Sequence, residues 1–336
     1  MSAAVTPLSQ LNDPVHKPVM IDEVLATMAP QCGDVIVDGT FGAGGYTRAL
    51  LKGAECQVFG VDRDPDAILR AKALKEAFGS RFEILNGCFG DMQDLLAHVG
   101  VEKVDGIVLD IGVSSYQLDE AERGFSFRSD GPLDMRMGQS GQSAADIVNT
   151  LEADELANIL YDFGEEKKSR KIAAAIVRSR ESDEGPIETT LRLADIIAGA
   201  VGFRRVKGKK LIHPATRSFQ ALRIYVNDEL GELRRGLAAA ERLLNPGGRL
   251  VVVSFHSLED RIVKQYIAEK AGRVPSGSRH MPHVDRSEQP TFKVIKSSGL
   301  KPTAEEEASN PRSRSARLRY AVRTEALCAS TGGGDA

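Results

Sequence analysis

Val35-Ile36-Val37-Asp38-Gly39-Thr40-Phe41-Gly42-Ala43-Gly44-Gly45 reads as a short apolar strand, an acid at its end, and a glycine-rich turn. A helical pattern carrying Ala49, Leu50 and Leu51 follows. Strand, tight turn and helix in that order open a parallel α/β sheet. The unit then recurs. Gln57-Val58-Phe59-Gly60-Val61-Asp62 is a second strand ending in an acid, and 66–78 is its crossover helix, rich in Ala, Leu and Lys. Residues 81–85 form a third strand. Val104-Asp105-Gly106-Ile107-Val108-Leu109-Asp110 is a fourth, again ending in an acid. This alternation predicts an α/β fold, a mostly parallel sheet with helices on both faces.

The alternation stops near Asp119 and no strand pattern returns before His213. Leu156, Ile159, Leu160 and Phe163 recur at helical spacing, with Gly164 as a stop. Leu193, Ile196, Ile197, Ala200 and Val201 repeat the pattern behind an N-cap at Thr189 or Thr190. An all-helical insert at 119–213, suited to substrate recognition, is expected inside a domain made of 1–118 and 214–336. Past the insert, Phe219, Leu222, Val226, Leu230, Leu233 and Leu237 predict one long helix, broken at Asn245-Pro246-Gly247-Gly248. Residues 249–255 are almost wholly apolar, as a buried central strand requires. A helix over 257–271, a loop over 273–289, and strands at 292–296 and 318–322 complete the chain.

Bulk properties narrow the class. The 336 residues carry a formal charge of −3, with 42% hydrophobic and 27% charged side chains, no Trp and 5% aromatics. These are soluble globular proportions, with a core of Leu, Val, Ile and Ala. No signal peptide and no bilayer-spanning run is found. Cys32, Cys56, Cys88 and Cys328 are scattered without a C-x-x-C pair, so free thiols in a reducing cytoplasm are expected, with no thiolate metal site. Two basic clusters, one over 204–210 and one of Arg312, Arg314, Arg317, Arg319 and Arg323, would neutralise phosphates or simply be solvated.

Ligands of open parallel sheets sit at the C-terminal strand ends, where the acids and glycines above lie. Asp62 is placed to accept hydrogen bonds from two ribose hydroxyls. The dinucleotide pattern G-x-G-x-x-G fails at Thr47, which disfavours NAD. Asp38 would pair with the ammonium of an amino-acid cofactor, or else cap the turn. Phe89 would pack on adenine or offer its amide to it, or else belong to the core.

Beyond these features, longer blocks resemble one family. They are His16-Lys17-Pro18-Val19-Met20, Asp38 through Gly45, Asp110-Ile111-Gly112-Val113-Ser114-Ser115, and Glu122-Arg123-Gly124-Phe125-Ser126-Phe127. Gly131-Pro132-Leu133-Asp134-Met135-Arg136-Met137, His213-Pro214-Ala215-Thr216-Arg217, Ser254-Phe255-His256-Ser257-Leu258-Glu259-Asp260-Arg261 and Asn310-Pro311-Arg312-Ser313-Arg314-Ser315 continue it in order. Together they are similar to the MraW family of small-subunit ribosomal RNA methyltransferases. The resemblance implies a class I S-adenosylmethionine-dependent methyltransferase fold with an inserted helical domain. It implies methylation of the exocyclic N4 of a decoding-centre cytidine in 16S rRNA, with cofactor contacts at Gly44, Gly45, Tyr46, Asp62, Phe89, Asp110 and Gln117. The family usually has His where Tyr46 stands and often has Pro where Tyr116 stands.

For the chemistry, Asp110 is the leading candidate to accept an amino proton, and it would instead bind the methionine part of the cofactor. Ser114 and His256 are the next candidates, with His256 equally suited to tying down a loop. Arg123, Phe125, Phe127 and Arg128 would grip and stack on an unpaired base, or pack beneath the insert. The expected partner is 16S rRNA in the small subunit or a late precursor, since a chain at −3 lacks the field to hold any RNA tightly. An amino-methyltransferase of DNA or another RNA, and a non-catalytic assembly factor, are the competing readings. The oligomeric state, a dimer included, is left open.

Overall fold

The computed structural model describes residues 18–138, 140–203, 213–273 and 289–328. Two compact units divide the chain, Met1–Gly112 with Gly231–Ala336, and Val113–Leu230. In the first, α1 (Ile21–Met28) leads to β1 (Val35–Asp38), α2 (Gly45–Gly53), β2 (Gln57–Asp62), α3 (Pro65–Phe78), β3 (Phe82–Asn86), α4 (Met92–His98) and β4 (Val104–Asp110). The second holds α5 (Ser115–Asp119), α6 (Ala144–Thr150), α7 (Ala153–Asp162), α8 (Ser169–Arg180), α9 (Thr190–Val201) and α10 (Ala215–Val226). The chain returns through α11 (Glu229–Leu243) to β5 (Leu244–Ser254), α12 (Ser257–Lys270), β6 (Phe292–Val294), α13 (Ala304–Ser309) and β7 (Arg317–Arg323).

The seven described strands form one sheet in the order β3-β2-β1-β4-β5-β7-β6. The first five run parallel, and β7 is antiparallel to both β5 and β6. Side chains alternate across it, because successive Cβ atoms of a strand point to opposite faces. Val37, Phe59, Ile107, Leu109, Leu250 and Val252 pack on one face with Leu233 and Leu237 of α11 and Val263 of α12. Ile36, Val58, Val108, Val251 and Val253 pack on the other with residues of α1, α2 and α3. Each wholly buried aliphatic side chain contributes about 1.5–3 kcal/mol. Mostly parallel order with both faces covered by helices is the expected class I methyltransferase architecture. No helix among the described residues is long and apolar enough to cross a membrane.

The second unit has its own core, in which Leu156, Leu160, Ile172, Ile176, Leu193, Ile197, Phe219 and Leu222 are buried together. Outside its helices the described residues form only an isolated antiparallel bridge, Pro132 to Thr189. Thr189 caps α9, accepting from the Arg192 N–H. This unit extends past both ends of the 119–213 segment. One expectation fails here. The long helix drawn through Phe219 and Leu237 is two helices, α10 and α11, separated at Asn227 and Asp228, the latter at φ 47. Asn227 donates to Met135 O at 2.8 Å and accepts the Met137 N–H at 2.9 Å, which holds the break open. The continuous apolar period arose because Phe219 and Leu222 serve one core while Leu233 and Leu237 serve another.

The joint between β1 and α2 is the part of the fold on which the site rests. Asp38 is 1% exposed. Its Oδ2 accepts the Thr47 hydroxyl at 2.7 Å and the Thr47 N–H at 3.2 Å, and its Oδ1 accepts the Thr40 N–H at 3.4 Å. The carboxylate thus shapes the turn and the first turn of α2, the turn-capping role expected of it. Gly44 caps that helix in the left-handed region at φ 71, and a Cβ there would meet a Phe41 ring carbon at 2.7 Å. Burial pushes the Asp38 carboxyl up to about 6 from 3.8, against the Thr47 and Thr40 hydrogen bonds that lower it.

Folded Asp38 therefore holds its proton more tightly than the unfolded chain does. Its contribution to stability is fullest below 3.8 and is lost as pH rises through about 6. At about 1.4 kcal/mol per pH unit this amounts to roughly 3 kcal/mol. Asp38→Asn keeps an acceptor for Thr47 and cannot ionise. Relative to the wild type it should gain stability by up to that amount across this window, read as the difference in urea unfolding free energy. A flat difference would contradict the account.

Candidate active site

Three neighbouring strand ends and the glycine loop make up the candidate site, all within the first unit. β1 lies between β2 and β4, with Asp38 opposite Gly60 and Val108, so the carboxyl ends of these strands fall together. Asp62 ends β2. Its Oδ2 accepts the Gly42 N–H at 2.7 Å and its Oδ1 accepts the Asp64 N–H at 2.9 Å. Each oxygen keeps a lone pair for a further donor. The residue is half-buried. Burial raises its carboxyl above the ordinary value, opposed by those two backbone hydrogen bonds.

Asp110 ends β4, and its N–H donates to Thr40 Oγ1 at 2.6 Å, tying the strand to the loop. Its Oδ1 is buried without a hydrogen-bond partner among the described residues. Buried polar atoms are rarely left so in native proteins, because the unmet desolvation cost is about 1–3 kcal/mol and higher for a charge. Burial raises the Asp110 carboxyl well above the carboxylate range, and the charges of Asp38 and Glu259 push it the same way. A cation placed against Oδ1 would relieve all three effects.

The other expected contacts are distributed as follows. Gly45 opens α2, and a Cβ on it would run into Pro18. Tyr46 is buried and its hydroxyl donates to Val19 O, so its side chain is committed there and only its backbone can serve a ligand. The first N–H groups of a helix lack intrahelical acceptors, which makes the Gly45–Tyr46 turn a natural anion or dipole seat. Phe89 follows β3 in a 3₁₀ turn, Phe89–Asp91. Its half-buried ring is seated on Gly236 of α11, where an added Cβ would come within 2.5 Å of a ring carbon. The next residue is fixed by Gly90 N–H donating to Glu232 Oε2 at 3.0 Å. Gln117 lies in the second unit. There its Oε1 accepts the Ser114 N–H at 3.0 Å while Ser114 Oγ accepts the Gln117 N–H at 3.2 Å, a reciprocal cap on α5.

Of the two readings of His256, the loop-tying one fits. It is the N-cap of α12, Nδ1 accepting the Glu259 N–H at 3.5 Å and Nε2 lying 2.9 Å from Glu259 Oε1. Glu259, fully buried, accepts the Phe255 N–H at 2.8 Å and the His256 N–H at 3.2 Å. Phe125 and Phe127 belong to the core of the second unit. Phe125 is buried, and the Phe127 ring lies 4.9 Å from His213 and 4.8 Å from Phe219. Arg123 donates to Arg136 O at 3.2 Å and Met137 O at 3.1 Å. The C-terminal arginines are partly structural too. Arg319 pairs with Asp260 at 2.6 and 3.0 Å, and buried Arg323 donates to Glu241 O at 3.0 Å and Thr291 O at 3.1 Å. The basic run 204–210 and the His16-Lys17 pair lie outside the described residues. Thr40, Thr47 and Glu259 escaped the sequence reading. Thr40 sat inside a motif read for its glycines, and a Glu three residues after a His does not carry the usual capping signature.

Residues 13–324 match the MraW methylase family. A protein named ribosomal RNA small subunit methyltransferase H from Hyphomonas neptunium is 56% identical over 326 residues, covering 97% of this chain and 93% of its own. One of the same name from Rhodospirillum rubrum is 56% identical over 314 residues, 92% of this chain and 94% of its own. A third, from Rhodospirillum centenum, is 55% identical over 326 residues and 97% of both chains. With its motifs in order and a match over nearly its full length, the chain belongs to the MraW methylase family.

Proposed function

We propose that the protein methylates the exocyclic N4 of a decoding-centre cytidine in 16S rRNA, using S-adenosylmethionine, in the cytoplasm. The observation that carries this reading is Asp110. Its Oδ1 is buried and unpartnered among the described residues, and the charges acting on it are negative. S-adenosylmethionine is a cation at both its ammonium and its sulfonium, whereas a dinucleotide is an anion. The residues fit such a ligand. Asp62 would accept the ribose hydroxyls, the Gly44, Gly45 and Tyr46 backbone would line the methionine part, and the Phe89 turn would border adenine. Gln117 belongs to the same proposed set through the family resemblance. When bound, S-adenosylmethionine supplies an electrophilic methyl group on a charged sulfur. The small-subunit rRNA target follows the names of the relatives, and N4 follows the motif resemblance.

The chain's own groups have two tasks at the amino nitrogen. The lone pair of a cytosine amino group is delocalised into the ring, so the base must be held with that nitrogen in line at about 3 Å from its reaction partner. A proton must also leave the nitrogen. Asp110, with its free oxygen and a carboxyl held above the ordinary range, is the group suited to accept it or to hold the ligand's ammonium. His256 is the other candidate: its Nε2 is likewise buried without a hydrogen-bond partner among the described residues, 2.9 Å from Glu259 Oε1.

Asp62→Ala should weaken S-adenosylmethionine binding tenfold or more by calorimetry, since a charge-assisted hydrogen bond contributes about 1.5–3 kcal/mol. Asp62→Asn, which keeps one acceptor for the Gly42 N–H, should fall between. Equal affinity in all three proteins would remove Asp62 from the site, and binding of NAD in place of the methyl donor would overturn the cofactor.

Incubation with labelled methyl donor and three substrates tests the reaction itself. Unmethylated small subunits should take label on N4 of one cytidine, faster than free 16S RNA, and duplex DNA should take none. Label on DNA alone, on C5, or on a ribose hydroxyl would overturn the assignment. Asp110→Asn should lose turnover beyond its loss of binding if the carboxylate meets the base. A parallel fall in both would make it a ligand for the methyl donor alone.

A further inference from the structure

The described part of the second unit contains an unusual helix. From Lys167 to Arg180 the chain runs Lys-Lys-Ser-Arg-Lys-Ile-Ala-Ala-Ala-Ile-Val-Arg-Ser-Arg, six cations and no acid, in a protein whose net charge is −3. α8 occupies 169–180 of this run. Ser169, Ile172, Ala173 and Ile176 form its buried face. At about 100° per residue, Arg170, Lys171 and Arg178 fall within one arc on the opposite face, and Ala174 lies between them. Lys167 stands just before the helix, and all four of these cations are exposed.

Two of the six cations serve the fold. Arg180 donates to Val148 O at 2.9 Å and Leu151 O at 2.7 Å, closing the end of α6, and Lys168 donates to Val201 O at 3.2 Å. The other four have no ion pair or hydrogen-bond partner among the described residues. They also sit where folding disfavours them. Arg170 and Lys171 occupy the first turn of α8, which has no acid and no side-chain cap at Lys168. The positive end of the helix dipole makes a cation there unfavourable by about 0.3–1 kcal/mol. Between Lys171 and Arg178 that side of the helix carries the small, half-buried Ala174 and Ala175, so a partner can approach closely. From Arg170 to Arg178 the helix spans about 12 Å at 1.5 Å per residue, with Lys167 just beyond its N-terminal end. A polyanion with charges every several ångströms matches that length and sign.

We propose that the exposed face of α8, through Lys167, Arg170, Lys171 and Arg178, docks the phosphodiester backbone of the rRNA substrate. The proposal rests on the rRNA methyltransferase reading and adds to it a surface that holds the RNA by phosphate charge rather than by base identity. Phosphate contacts of this kind position a substrate and carry no sequence information, so they belong to binding and not to methyl transfer.

The test is a quadruple variant, Lys167→Gln, Arg170→Gln, Lys171→Gln and Arg178→Gln, which keeps helix propensity. Methyl transfer to unmethylated small subunits is followed at several salt concentrations. The variant should raise KM about tenfold or more near physiological salt and leave kcat and S-adenosylmethionine affinity unchanged. Its log–log salt slope should flatten by about 0.7–0.9 for each phosphate that the helix no longer neutralises. A control replaces the exposed Lys52, Lys72 and Lys264 of the first unit by Gln and should leave both KM and slope as in the wild type. Arg170→Lys with Arg178→Lys should retain most of the binding. An unchanged KM and slope in the quadruple variant, an equal effect in the control, or loss of kcat alone would each overturn the proposal. Failure of the wild type to methylate subunits at all would instead sink the underlying reading. A variant that binds subunit RNA normally but no longer binds ribosomal protein would assign the face to protein and overturn it as well.

Discussion

A carboxylate with one buried and unpartnered oxygen sets the strongest constraint at the ends of the parallel strands. Asp110 stands at the end of β4 with one oxygen unpartnered, and Asp38 and Glu259 add negative charge to the same place. Such an arrangement is unfavourable for a folded chain, since each charge is desolvated and the like charges repel. Asp38 offsets part of this through Thr47 and Thr40, and Glu259 through the Phe255 and His256 amides. Asp110 has no such compensation among the described residues. Carboxyls raised by burial at the carboxyl ends of parallel strands mark a candidate functional site.

The division of labour among the acids follows from their neighbours. Asp38 is committed to the turn and acts by shape, placing Gly42, Gly44 and the start of α2. Asp62 is held by two backbone amides and, like Asp110, is half-buried. Asp110 is tied to the loop through its own N–H on Thr40. The three are linked through Thr40 and Gly42, and one short loop connects the ends of three strands.

The fold was legible wherever period and burial agreed. β1, β2 and β4 each end in an acid after a mostly apolar run, and β5 is almost without polar residues from Leu250 onward, because a parallel sheet buried on both faces allows little else. The reading of one helix through Phe219 and Leu237 failed since period cannot reveal that two halves of a stripe face two different cores. α6 and α8 were missed because alanines and charges dilute their apolar stripes to two or three residues each. At the candidate site, residue types at strand ends singled out Asp62 and Asp110, and the structure places both at the carboxyl ends of parallel strands. Their partners were invisible, as the Asp38–Thr47 hydrogen bond spans nine residues and the Gly42–Asp62 one twenty. Phe125 and Phe127 show the limit of composition: aromatic rings interleaved with arginine suit RNA, and here they fill a core.

The most direct test of the account is proton release on binding. Burial and the charges of Asp38 and Glu259 raise the Asp110 carboxyl, and a cation set against its Oδ1 would lower it again, so binding of a cationic ligand there should release protons. Calorimetric titration with S-adenosylmethionine at about pH 6.5, where an α-amino group is already protonated, should show a binding enthalpy that varies with the ionisation enthalpy of the buffer. That variation should correspond to release of a proton by the wild type and should vanish in Asp110→Asn. A wild-type enthalpy independent of buffer, or a release that persists in Asp110→Asn, would contradict the claim that this carboxylate awaits a cation.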